Sequence, residues 1–211
     1  MMPVMSLYER LKETYGHQNW WPADSPFEMM AGAILVQNTN WNNVGKALAR
    51  LQPDLSPERI RAMTDEELEE RIRPSGFFRM KAQRLRAFLE WFESHGDDVR
   101  ALQQVETDVL REELLQVKGI GAETADSILL YALYRPVFVI DAYTHRIMNR
   151  IGYQFPKKYN QAQAFFEEAL PKDEALYNDF HAQFVRHAKE HCKKKPVCEG
   201  CPLEPECEKQ I

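Results

Sequence analysis

Four cysteines fall within the last twenty residues, in the run CKKKPVCEGCPLEPEC: five residues separate Cys192 from Cys198, two separate Cys198 from Cys201, and five separate Cys201 from Cys207. Four thiolates suit tetrahedral zinc, for which a two-residue gap is common. They equally suit a [4Fe–4S] cube, whose bulk the wider gaps allow the loop to enclose. Spacing alone leaves the two open, and disulfides fit neither a cytoplasmic chain nor its redox conditions. With either metal the loop is expected to be structural, tying down the chain end and presenting Lys193, Lys194 and Lys195.

A second constellation is VKGIGAETADSILL, where Gly119 and Gly121 form a Gly-x-Gly turn between two helical patterns, next to Lys118. Backbone N–H groups exposed at the start of the second helix would suit a phosphate, although such a turn can also be a plain connection. Twenty residues beyond Gly121, Asp141 opens a further helix after the apolar segment PVFVI. Its carboxylate is either an N-cap or a group placed to stabilise positive charge.

The elements that must position these residues are helical. Apolar residues recur at three and four positions almost throughout, and period-two strands are missing. Asp24 or Ser25 caps PFEMMAGAILVQNT, Thr64 and Glu67 make a capping box, and KAQRLRAFLEWFESHG stops at Gly96. AETADSILLYALY ends before Pro136, DAYTHRIMNRIG starts at Asp141, and two more helices are expected near 160–169 and 174–191.

With 211 residues, 44% of them hydrophobic, the chain can bury a core in one domain or two small ones. A net charge of −5 argues against a protein that coats nucleic acid without selectivity, so any DNA contact must come from local patches such as Arg186, Lys189 and Lys193–Lys195. The charged start and the lack of a long apolar run predict a cytoplasmic protein without a membrane span.

Taken in order, SPFEMMAGAILVQNT, IRPSGFFRMKAQRL, VKGIGAETAD, VIDAYTHRIMNRIG and the cysteine loop resemble the helix-hairpin-helix (HhH-GPD) DNA glycosylase superfamily, in particular its endonuclease III branch. The resemblance spans nearly the whole chain. It implies an all-α, two-lobed helix-hairpin-helix DNA glycosylase fold with a C-terminal [4Fe–4S] loop. Residues 24–134 would form a six-helix domain, residues 1–23 plus 135–211 a second lobe, and residues 187–211 the cluster loop. The family loop usually has a first gap of six residues, where this chain has five.

Two positions separate the subfamilies. In members that also cleave the strand, a lysine two residues past the second hairpin glycine forms a Schiff base; that position is Glu123, which cannot form an imine. Adenine-specific mismatch enzymes carry a glutamate where this chain has Ala33. The 3-methyladenine DNA glycosylase III group instead shares Trp20, Trp21 and Pro22, a glutamate at position 123, and the pair Asp141 and Tyr143, while lacking the cysteine loop.

The resemblance therefore implies a monomeric, monofunctional glycosylase hydrolysing the N-glycosidic bond of alkylated bases in duplex DNA that holds a damaged base or abasic site. Asp141 would stabilise the oxocarbenium-like sugar and orient water. Gln37 and Asn38 would fill the gap left by the flipped base. Trp20 and Trp21, with Pro22, Glu123 and Tyr143, would line the base pocket, a cationic purine favouring an aromatic wall. Lys118, Gly119, Gly121 and Lys193–Lys195 would hold the backbone. Two alternatives stay open: a glycosylase/AP lyase for oxidised pyrimidines, with Lys118 as a candidate amine, and a non-catalytic iron–sulfur protein that binds damaged DNA.

Overall fold

The computed structural model describes residues 2–209, and among these there are twelve α-helices and no strand. In chain order they are α1 (Val4–Tyr15), α2 (Pro26–Leu35), α3 (Trp41–Leu51), α4 (Pro57–Ala62), α5 (Asp65–Ile72), α6 (Phe78–Ser94), α7 (Val99–Gln103), α8 (Thr107–Gln116), α9 (Ala122–Ser127), α10 (Ala142–Ile151), α11 (Tyr159–Ala169) and α12 (Glu174–Glu190). Two compact units result. A central unit runs from Trp21 to Arg135, and a terminal unit joins the chain before it to the chain after it.

In the central unit, α2 is apolar from Met29 onward, and Phe27, Met29, Met30, Ala31, Ala33, Ile34 and Leu35 are buried. A helix of that kind belongs in a core, where each large side chain contributes roughly 1.5–3 kcal/mol. Ser25 rather than Asp24 caps it, its hydroxyl accepting from Glu28 N at 3.1 Å. The helix stops at Leu35, before the residues QNT. The capping box of Thr64 and Glu67 forms with bonds of 3.2 and 2.8 Å. The helix begun by α9 widens into a π-turn over Ile128–Ala132, which the sequence pattern did not distinguish from a continuous α-helix.

In the terminal unit, Phe138 stacks on Phe166 at 4.2 Å and Phe180 meets both edge-on at 5.7 Å. PVFVI is extended without a partner strand, so side chains satisfy its backbone. Glu167 accepts from Phe138 N at 2.8 Å, Gln163 donates to Phe138 O at 2.8 Å, and the Tyr159 hydroxyl accepts from Ile140 N at 3.3 Å. These bonds fix the backbone immediately before Asp141.

Candidate functional site

Asp141 is the N-cap of α10. Its Oδ1 accepts from Thr144 N at 2.7 Å and from the Thr144 hydroxyl at 2.8 Å. His181, buried on α12, brings Nε2 to 3.4 Å from Oδ2. Burial pushes this carboxyl upward, but the interaction with His181 and the two bonds from Thr144 more than offset it, so its pKa lies below the ordinary carboxylate value. The capping and the candidate catalytic roles are thus compatible, since both need the ionised form. Tyr143 lies under the Arg146 guanidinium, 5.1 Å from the ring centre, and Arg146 in turn donates to Cys192 O at 2.8 Å.

The hairpin lies in the central unit between α8 and α9. Arg111 grips the fully buried Asp126 with bonds of 2.7 and 3.0 Å, locking the two helices together. Gly119 has φ +87°, a backbone that favours glycine, and a Cβ there would run into the Arg84 side chain. Gly121 differs: its backbone is extended, and a Cβ there would point into open space. Lys118 and Glu123 are both exposed.

Gln37 is bound into this hairpin. Its amide donates to Gly119 O at 3.0 Å and to the Thr124 hydroxyl at 2.9 Å, while its carbonyl oxygen accepts from Arg84. Asn38, beside it, is exposed on a left-handed backbone (φ 55°). A second exposed tip is Phe77, 62% accessible and also left-handed (φ 47°), at the N-cap of α6. Phe77 was not singled out from the sequence, where a phenylalanine directly after Gly76 at a helix start was the available signal.

The tryptophans of WWP separate. Trp21 meets Trp41 edge-on at 4.6 Å and Tyr131 at 5.3 Å, within the central unit. Gly32 makes room for this nest, because a Cβ there would stand 3.2 Å from the Trp41 ring. Trp20 instead lies beneath Lys189, whose ammonium is 5.9 Å from the ring centre, in the terminal unit. Pro22 is exposed. Trp41 and Tyr131 were not singled out from the sequence, where each looks like an ordinary core aromatic.

All four cysteines line one pocket in the terminal unit, with Arg150, His187 and His191. Among the described residues no group of three or more His, Cys, Asp or Glu side chains is arranged to hold a metal ion. Arg150 clips the loop by donating to Lys193 O and to Lys194 O at 3.0 Å, and it reaches Cys192 Sγ at 3.4 Å. His187 accepts or donates through Nδ1 at 2.9 Å to the Tyr15 hydroxyl, and its Nε2 lies 3.8 Å from Cys201 Sγ. Burial, with His191 nearby, lowers the His187 pKa to about 4, leaving it neutral. Burial also raises the Cys201 and Cys207 thiols. Lys193, Lys194 and Lys195 are exposed, and among the described residues no helix is long and apolar enough to cross a membrane.

Residues 31–172 match the family described as HhH-GPD superfamily base excision DNA repair protein. The chain is 44% identical over 209 residues to a protein of Methanocaldococcus jannaschii provisionally named a DNA repair glycosylase, covering 97% of this chain and 95% of that one. It is 30% identical to endonuclease III of Thermotoga maritima, covering 87% and 83% respectively. Among solved structures, H. pylori 3-methyladenine DNA glycosylase bound to 1,N6-ethenoadenine matches with a TM-score of 0.79 at 28% identity, over 90% of this chain and 98% of that one. Endonuclease III in a non-covalent DNA complex matches in fold with a TM-score of 0.83 at 22% identity, over 98% and 94%.

Proposed function

The chain belongs to the HhH-GPD superfamily of base excision DNA repair proteins and is a DNA glycosylase; from that premise we propose that it releases alkylated purines from duplex DNA by hydrolysis, without a lyase step. The observation that carries this reading is Asp141, a carboxylate kept ionised while largely buried. An N-alkylated purine bears positive charge and leaves without a strong general acid, so the enzyme needs chiefly to stabilise the sugar cation and direct a water. Asp141 supplies that negative charge. Glu123 occupies the hairpin position where a lyase would need an amine, and a carboxylate cannot trap the opened sugar as an imine.

The central unit contributes recognition. The nest of Trp21, Trp41 and Tyr131 offers electron-rich faces, and cation–π stacking stabilises a charged base by roughly 0.5–2 kcal/mol. Asn38 and Phe77, exposed on strained backbones, suit side chains that enter the base stack while a nucleotide is out of it. Lys118 and the open space over Gly121 suit a phosphate. The H. pylori enzyme, bound to a modified adenine, supports a purine substrate.

The four thiols line one pocket, and the donor set fits a [4Fe–4S] cube held by Cys192, Cys198, Cys201 and Cys207. Bound there, the cube would cross-link the chain end, with Lys193–Lys195 turned outward to DNA. The protein would then act as a monomer on cytoplasmic, nucleoid DNA. The test is release of free base from methylated duplex DNA by wild type and Asp141→Asn, with and without hot alkali. Methylated purines released by wild type alone, with strands broken only after alkali, are expected. Strand breaks without alkali, or release of oxidised pyrimidines only, would overturn the reading in favour of an endonuclease III-type lyase.

A further inference from the structure

Lys81 stands one turn into α6, on the core side, and is only 1% exposed. Its ammonium donates to Leu35 O at 2.7 Å and to Ser75 O at 2.6 Å. Leu35 is the last residue of α2, two residues before Gln37 and three before Asn38. Ser75 lies two residues before Phe77. The Lys81 backbone N–H completes the arrangement by donating to Phe77 O at 3.0 Å. One side chain therefore fastens the roots of both loops whose tips, Asn38 and Phe77, carry left-handed backbones in solvent.

We propose that Lys81 is a positioning residue that sets the spacing of a two-pronged DNA wedge formed by Asn38 and Phe77. The inference rests on the reading of those two tips as stack-entering groups. A carbonyl at the end of a helix normally turns to water or to a capping group. Here two carbonyls from different segments converge on one buried ammonium, which is a costly placement unless the geometry between the segments matters. Burial, with Arg84 nearby, lowers the Lys81 pKa to about 8, so the group is an ammonium with hydrogens for both carbonyls at neutral pH. Arg84, one turn further along α6, extends the same bracing to Gln37 and lies over Gly119.

The experiment compares single-turnover base release from a methylated purine in fully paired duplex with release of the same lesion inside an unpaired bubble, where little unstacking is needed. Lys81→Met should lower the rate on paired DNA by about tenfold while the bubble substrate loses far less, with DNA affinity changing little. Equal losses on both substrates, or no loss on either, would overturn the proposal, because a merely structural lysine has no reason to distinguish paired from unpaired lesions. Should Lys81→Met fail to fold, Lys81→Gln, which keeps a donor, carries the same comparison. Phe77→Ala and Asn38→Ala control for the premise. If those variants show no dependence on pairing, the wedge reading fails; if they do and Lys81→Met does not, only the role of Lys81 fails.

Discussion

His181 on α12 faces Asp141 at the head of α10, its Nε2 3.4 Å from Oδ2, while Thr144 occupies Oδ1. The carboxylate is thereby addressed at both oxygens, and its charge is maintained against burial. The sign of the pH dependence follows. A carboxyl whose folded pKa is depressed contributes stability above its unfolded pKa and loses that contribution as pH falls through the folded value. Wild-type base release should accordingly persist below the ordinary carboxylate value, near 4. In His181→Leu, burial remains and the opposing interaction goes, so the acidic limb of the kcat profile should move to higher pH. A limb that stays in place would remove His181 from the control of Asp141.

Glu123 makes the absence of a lyase step testable by a gain of function. Wild type should leave abasic strands intact until alkali is added, and borohydride should trap no covalent protein–DNA adduct. Glu123→Lys places an amine in the first turn of α9, at an exposed position, and should yield a trapped adduct on abasic DNA. Trapping by wild type itself would redirect attention to Lys118.

The aromatic nest predicts a selective loss. Trp41→Ala removes the ring that Gly32 accommodates and that Trp21 meets edge-on. Loss of roughly 0.5–2 kcal/mol of cation–π attraction corresponds to about 2- to 30-fold in kcat/KM for charged lesions. A neutral lesion of the same size should be affected less. Parallel losses on charged and neutral bases would mean that the nest is packing alone.

What was legible in the sequence was local. The capping box at Thr64, the glycine demand at Gly119, the cap at Asp141 and the cysteine spacing are each written within a few residues, and short-range backbone chemistry dictates them. The missed residues act across long separations. His181 comes forty positions after Asp141, Lys81 reaches back to Leu35, and Trp41 pairs with Trp21 only once α2 and α3 have packed. His181 carries no local signal: Asp179, His181 and Gln183 are polar residues on α12, and that all three are buried shows only in the fold. Gln37 shows the opposite limit, since its position was noted but its commitment to Gly119 and Thr124 depends on tertiary contact.

Arg150 links the cysteine loop to α10 by three contacts, donating to two loop carbonyls and approaching Cys192 Sγ. If the loop holds a [4Fe–4S] cube, the purified protein should be brown with absorbance near 400 nm, and Cys201→Ser should lose the colour. Arg150→Leu tests the protein's own share of loop order. Each hydrogen bond to a charged donor contributes about 1.5–3 kcal/mol, discounted here toward 1 kcal/mol or less because the contacts are partly exposed. For a chain of this size about 2 kcal/mol in all corresponds to a Tm lower by roughly 4–8 °C. The substitution should also speed loss of the 400 nm band in chelator, because the carbonyls of Lys193 and Lys194 would be released beside the cavity mouth. A variant with unchanged melting and unchanged bleaching would show that the cysteines alone order the loop.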